Sequence, residues 1–161
     1  MKRIICIITA LVLTCAFALS EDVTSVYETI QMSDTLNQIR EKLGEGEEID
    51  DFIRYGDVLL AFYESGRLQA KGLYFDDISE VAAKTQADFA LVRKFKQGTP
   101  LSELTAILGE GKEIMTINLA DEENANIRKL LAWQNEDGGI LEALIELDDD
   151  EWLVFALGEI A

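Results

Sequence analysis

The residues best equipped for chemistry in this sequence are its carboxylates. There are 31 Asp and Glu among 161 residues, no histidine, and two cysteines, Cys6 and Cys15. The densest acidic runs are Asp76-Asp77, Asp148-Asp149-Asp150-Glu151, and Asp121-Glu122-Glu123-Asn124-Ala125-Asn126. Acid–base catalysis by carboxylates needs two of them opposed across a site. The first two runs fall instead at strand ends, where acidic residues sit in solvated turns, so no catalytic residue is assigned and the chain reads as a non-enzyme. Without histidine, Ser–His and Cys–His nucleophile systems are excluded. Zinc, copper and haem lose their usual ligands, and no cofactor is expected. Calcium takes hard oxygen ligands, so the runs at 121–126 and 148–151 leave a calcium-binding surface protein as an alternative reading, although neither has EF-hand spacing.

The formal net charge is −17. Such a surface repels nucleic acid and anionic headgroups and favours basic partners. The first residues read as a secretory leader: a basic Met1-Lys2-Arg3, an uncharged apolar run from Ile4 to Phe17, then Ala18-Leu19-Ser20 before Glu21. A cut after Ala18 fits nearly as well. The run is short for a span of ~20 residues, so no membrane insertion is expected after cleavage. The chain is thus expected to be secreted or extracytoplasmic, in the cell envelope. Leu13-Thr14-Cys15 opens a second route, a lipid on Cys15 and an envelope structural or assembly role, with Thr14 where a lipobox has a smaller residue. Both cysteines lie in the leader, so the exported chain must hold together by its core, without disulfides.

The positioning elements come twice. LGEGEEI at 43–49 returns as LGEGKEI at 108–114, 65 residues on (43 to 108). Leu36, Ile39 and Leu43 fall on Leu101, Leu104 and Leu108 at that offset. Farther on, Leu59-Leu60-Ala61-Phe62 meets Leu130-Leu131-Ala132-Trp133, with extra residues of the second copy placed in a loop around Leu119 to Asn126. Insertions confined to loops are what a duplicated unit shows.

Each copy reads as a helix, a short second helix, and a three-stranded meander. The first helix is expected over Val23–Met32 in one copy and Glu80–Lys96 in the other. Ser33 or Asp34, and Thr99 before Pro100, are the expected caps of the second helix. Gly44 and Gly109 are expected to stop it. Strands are expected at Ile49–Tyr55, Val58–Tyr63 and Leu68–Phe75, then at Glu113–Asn118, Arg128–Gln134 and Ile140–Leu147, with a closing strand at Trp152–Leu157. In Ile140–Leu147, Leu141, Ala143, Ile145 and Leu147 alternate with Glu142 and Glu146, the mark of a strand with one buried face. On the closing strand, Leu153, Phe155 and Leu157 are expected to face the helices. The fold class is then α+β: two tandem helix-helix-β-meander repeats forming one antiparallel sheet with helices on one face. Residues 1–20 are the signal peptide, 21–77 repeat 1 and 78–161 repeat 2.

Tandem units of this kind, with Gly98-Thr99-Pro100, Leu104 and Leu108-Gly109-Glu110-Gly111, resemble the β-lactamase inhibitory protein family. The short unit is also similar to the single one of the small outer-membrane assembly lipoproteins of bacteria. The resemblance covers about residues 23–157. It implies a binding protein that inserts a Gly-Asp hairpin of the first unit into an enzyme, here Gly56-Asp57, with aromatic residues of the sheet adding contact. This chain departs from that pattern after the Asp, where Val58-Leu59 replaces tyrosines.

The reading is an exported, non-catalytic protein-binding module, an inhibitor of a secreted or envelope enzyme being one such role. Its expected surface is the open sheet face and the hairpin tips. Alternation nominates Tyr55, Tyr63, Tyr74 and Trp152 as aromatic anchors, with Asp57 as the charged probe. Trp133 aligns with Phe62 and is expected in the core.

Overall fold

The computed structural model describes residues 23–121 and 126–160. The leader with Cys15, and Glu122–Ala125 of the acidic loop, lie outside the described residues. The fold is mostly β. Short helices α1 (Val23–Thr29) and α2 (Leu36–Leu43) precede strands β1 (Glu47–Ile49), β2 (Phe52–Tyr55), β3 (Val58–Phe62) and β4 (Leu68–Leu73). A two-residue strand β5 (Ala83–Lys84) and helix α3 (Leu101–Leu108) follow. Strands β6 (Lys112–Asn118), β7 (Ile127–Gln134), β8 (Ile140–Asp148) and β9 (Glu151–Ile160) close the chain. They form one open sheet in the order β1-β2-β3-β4-β6-β7-β8-β9, all antiparallel. The ninth strand, β5, lies parallel to β7 at Trp133 and Gln134, just past the point where β6 begins at the partner of Ala132.

Local chemistry explains the helix ends. Thr35 caps α2: its hydroxyl accepts from the Gln38 amide at 3.4 Å, and the Gln38 side chain accepts from the Thr35 amide at 2.8 Å. The expected cap Asp34 instead accepts from Lys42 at 2.7 Å and from the Gln31 amide at 2.8 Å. Pro100, not Thr99, occupies the cap position of α3. Gly44 and Gly109 stop the two helices at φ +80° and +78°, a conformation costly for a residue with a Cβ.

Three sequence expectations need correction. No helix spans Glu80–Lys96. Asp77 and Asp88 accept hydrogen bonds from the amides of Ser79 and Ala90, nucleating single 3₁₀ turns at Ile78–Glu80 and Phe89–Leu91, and β5 lies between them. The apolar residues that looked like a helical stripe serve two cores: Ala82 packs with Ala132 and Ile140, Phe89 and Val92 with Leu104 and Trp133. Ile49–Tyr55 is not one strand, because Asp50, at φ +51°, turns it into the β1–β2 hairpin. On β9, Phe155 is an extra residue where the register shifts, so Ala156 faces Leu144 and Val154 faces Ile145. Val154 and Trp152 therefore join the helix-side core with Leu157, while Leu153 takes the side of Glu146.

The helices share one side of the sheet. Ile39 of α2, with Tyr27 and Ile30, packs on Tyr55, Val58, Leu60 and Leu68. Leu104 and Leu108 of α3 pack on Leu131, Trp133, Leu141, Ala143 and Ile145. The register runs Leu60–Lys71–Thr116–Lys129–Ile145–Val154, which places both cores on the same face. The other face is not wholly open: Ile78, Val81 and Ala82 cover its end at Ala132 and Ile140.

Candidate functional site

The helix-free face is built from two cross-strand rows. One runs Arg54–Leu59–Gly72–Met115–Leu130–Leu144–Ala156 across seven strands. The next runs Ala61–Ala70–Ile117–Arg128–Glu146–Leu153. Leu59, Met115, Ile117, Leu130 and Leu144 are half-buried, and Leu130 also packs against the Ala82–Ala132–Ile140 cluster at one end of the face. An apolar row of this length on a solvated face is unusual for a monomer surface.

Charged groups frame it. At one corner the Arg54 guanidinium lies 5.0 Å from the centre of the exposed Tyr74 ring. Arg54 also donates to the Gly56 carbonyl at 2.6 Å and approaches Asp57 at 3.7 Å. These residues line a concavity of about 400 Å³ between the β2–β3 hairpin and the Glu80 turn. At the opposite corner Arg128 bonds Glu146 at 3.1 Å and stacks 3.8 Å from the Phe155 ring centre. Arg128 was not singled out from the sequence, and Phe155, expected to face the helices, turns to Arg128 instead because it is the unpaired residue of the β9 bulge.

The nominated aromatics divide. Tyr63 and Tyr74 take the helix-free side, alternating with Phe62 and Leu73 of the first core. Tyr63 donates its hydroxyl to the Asn118 carbonyl at 2.6 Å, tying the β3–β4 turn to the end of β6. Tyr55 and Trp152 do not join them. Tyr55 pairs with Val58 in the first core and donates its hydroxyl to the Gly44 carbonyl at 2.9 Å. Trp152 packs against the second core, with the Lys129 ammonium 4.9 Å from its ring centre. Trp133 is fully buried, its indole N–H donating to the Gly109 carbonyl at 3.0 Å.

A polar cluster that sequence pattern did not reveal lies on the helix side at the β4–β6 seam. Lys71, 8 % exposed, donates to the carbonyls of Tyr27 and Ile30 at 3.0 and 2.9 Å, satisfying groups at the end of α1. Its ammonium also lies 4.1 Å from the centre of the Tyr27 ring. Burial holds the Lys71 pKa below its usual value. Glu113 accepts from Thr116 at 2.6 Å, from Tyr27 at 3.0 Å and from Lys129 at 2.7 Å. Burial pushes the Glu113 carboxyl up, but these donors outweigh it and hold its pKa below the ordinary carboxylate value. Burial pushes the Tyr27 phenol far up. The cluster borders a cleft of about 390 Å³ with Met32 and Trp152. Its groups are engaged with one another across the seam, an arrangement that locks α1 to the sheet.

The acidic runs Asp76-Asp77 and Asp148–Glu151 serve as a cap and a turn. Asp149 and Asp150 adopt φ +43° and +68° between β8 and β9, and Asp77 caps a 3₁₀ turn. No known protein family matches the chain, and no curated protein matches it.

Proposed function

We propose that this chain is an exported, non-catalytic protein-binding module whose partner docks on the helix-free sheet face and the β2–β3 hairpin tip. The observation that carries the reading is the apolar row Leu59–Gly72–Met115–Leu130–Leu144–Ala156, framed by Arg54 with Tyr74 and by Arg128 with Phe155. An apolar centre with aromatic and arginine residues at its margin has the composition of a protein interface. The charge of −17 favours a partner with a basic rim, through faster encounter and a penalty on acidic competitors. Inhibition of a secreted or envelope enzyme is the role this geometry suits, with Asp57 beside the concavity as the entering group.

The reading includes an ancestry in two copies of one helix–helix–meander unit, of the kind the β-lactamase inhibitory proteins carry. Its support is a set of paired details. Tyr55 and Trp133 each donate to the carbonyl of the glycine that stops a helix. The segment before each second helix bridges to a late strand, Thr35 with Arg67 and Pro100 with Leu153. Four strands then correspond to four, with β2 answering β7, instead of the three-strand match that the sequence offset suggested.

The test is affinity capture from secreted and envelope extracts by the immobilised chain. Leu144→Glu and Tyr74→Ala place their changes on the helix-free face, and Ala106→Glu places a control on exposed α3. Captured protein lost with the first two and kept with the third supports the reading. Capture unaffected by Leu144→Glu contradicts it.

A further inference from the structure

Strands β4 and β9 match in detail, and the match extends to the edge that β9 presents. Each begins against the segment before a helix, through Thr35↔Arg67 and Pro100↔Leu153. Each then carries one extra residue, Gln69 or Phe155, at a register shift. Each continues as Ala-x-Gly: Ala70-Lys71-Gly72 in β4 and Ala156-Leu157-Gly158 in β9. In β4 that stretch is the edge on which β6 pairs, Ala70 with Ile117, Lys71 with Thr116 and Gly72 with Met115. In β9 the same stretch is the last edge of the sheet among the described residues. The segment Gly98–Thr99 bonds that edge at Val154, at 2.8 Å in both directions, and past Gly158 the Arg93 guanidinium bonds the Glu159 carboxylate at 2.8 and 2.9 Å.

We infer that the outer edge of β9 at Ala156–Gly158 receives an extended strand of another polypeptide, paired antiparallel as β6 pairs with β4, with a basic residue opposite Gly158. A free strand edge offers unpaired backbone donors and acceptors to an incoming strand. The side chains specify the occupant. In the β4 row, Gly72 lies between Leu59 and Met115, and the Met115 side chain approaches within 3.8 Å of where a Gly72 Cβ would sit. Apolar meets apolar across the glycine. In the β9 row the residue behind Gly158 is Glu142, which has no ion pair among the described residues. A Cβ on Gly158 would meet nothing within 4 Å, so the glycine leaves a path from the edge to that carboxylate. A lysine or arginine where β6 has Met115 reaches over Gly158 to Glu142. Opposite Ala156, backed by Leu144, the occupant carries an apolar residue as β6 carries Ile117. A second copy of this chain is the poorer occupant. Its β1 edge presents Glu47 and Glu48, where like charges repel, and its β9 edge carries no Lys or Arg to meet Glu142.

The inference rests on the paired-unit part of the proposed function, and not on the helix-free face being the docking surface. The test titrates ¹⁵N-labelled protein with two synthetic peptides of residues 110–119, one unchanged and one carrying Met115→Lys. The expected result is that the Met115→Lys peptide shifts the amides of Ala156–Gly158 and binds roughly fivefold more tightly than the unchanged one, the upper range for a half-exposed ion pair. Glu142→Leu, which copies Leu59, is expected to reverse that preference, and Gly158→Val to abolish binding of both peptides while the melting temperature holds. Equal affinities, a preference that survives Glu142→Leu, no shift at these amides, or self-association through β1 would overturn the inference. Shifts at Leu130 and Leu144 in place of the edge would also overturn it while leaving the helix-free face standing as the binding surface.

Discussion

Trp133 donates its indole N–H to the Gly109 carbonyl at 3.0 Å, and its ring lies over Gly111 so closely that a Cβ there would stand 2.7 Å from Cε2. Tyr55 repeats the arrangement, bonding Gly44 at 2.9 Å with its Cε2 2.9 Å from where a Gly46 Cβ would be. The twice-written LGEG thus has two jobs. Its first glycine ends a helix and offers a carbonyl, and its second makes room for the aromatic ring that takes that carbonyl.

Gly111→Ala is expected to destabilise the fold by roughly 1–3 kcal/mol, the usual cost of forcing atoms into a packed site. Gly46→Ala should behave alike, because its Cβ meets the Arg54 carbonyl as well as the Tyr55 ring. Gly158→Ala, whose Cβ meets nothing within 4 Å, is the control and should leave stability nearly unchanged. Urea midpoints of the three variants check this.

Replacing either aromatic by phenylalanine keeps an aromatic ring and removes the polar atom. Tyr55→Phe and Trp133→Phe should each cost about 1 kcal/mol, the net worth of an intramolecular hydrogen bond. Trp133→Phe should cost more, since it also leaves a smaller ring in a fully buried site. Thermal unfolding of the two variants measures the difference.

The Glu113 cluster predicts a pH dependence. Its carboxyl is held below the reference value of 4.5 in the folded chain. The unfolded state therefore binds its proton first, and the stabilisation is complete above about pH 4.5 and lost as pH falls through the folded value. Glu113→Gln should lower stability at neutral pH and flatten the acid limb. Melting temperatures of the two proteins should converge as pH falls, and parallel curves would refute the assignment.

Part of the sheet was legible because Leu141, Ala143 and Ile145 of β8 alternate with Glu142 and Glu146, so they had to share a buried face. The helix stops were legible because glycine chemistry is local. Segment 80–96 was not, because Asp77 and Asp88 cap separate turns and Ala82 and Phe89 answer to opposite faces of the sheet, a tertiary demand that periodicity does not carry. One bulge at Phe155 inverted the reading of Trp152 and Val154. Nothing in the sequence marked Lys71 and Glu113, because only the strand pairing shows Lys71 between Leu60 and Thr116 on a buried row. Tyr55 was expected on the open face, but it lies on the side of Ile53 and pairs with Val58 in the first core.

The central claim is that the helix-free face is the docking surface. Photo-crosslinking tests it most directly, with a benzophenone amino acid at Leu144 on that face or at Ala106 on exposed α3, in the full chain mixed with secreted and envelope extract. A discrete crosslinked partner is expected from Leu144 and none from Ala106. The same partner crosslinked from Ala106 and not from Leu144 would contradict it.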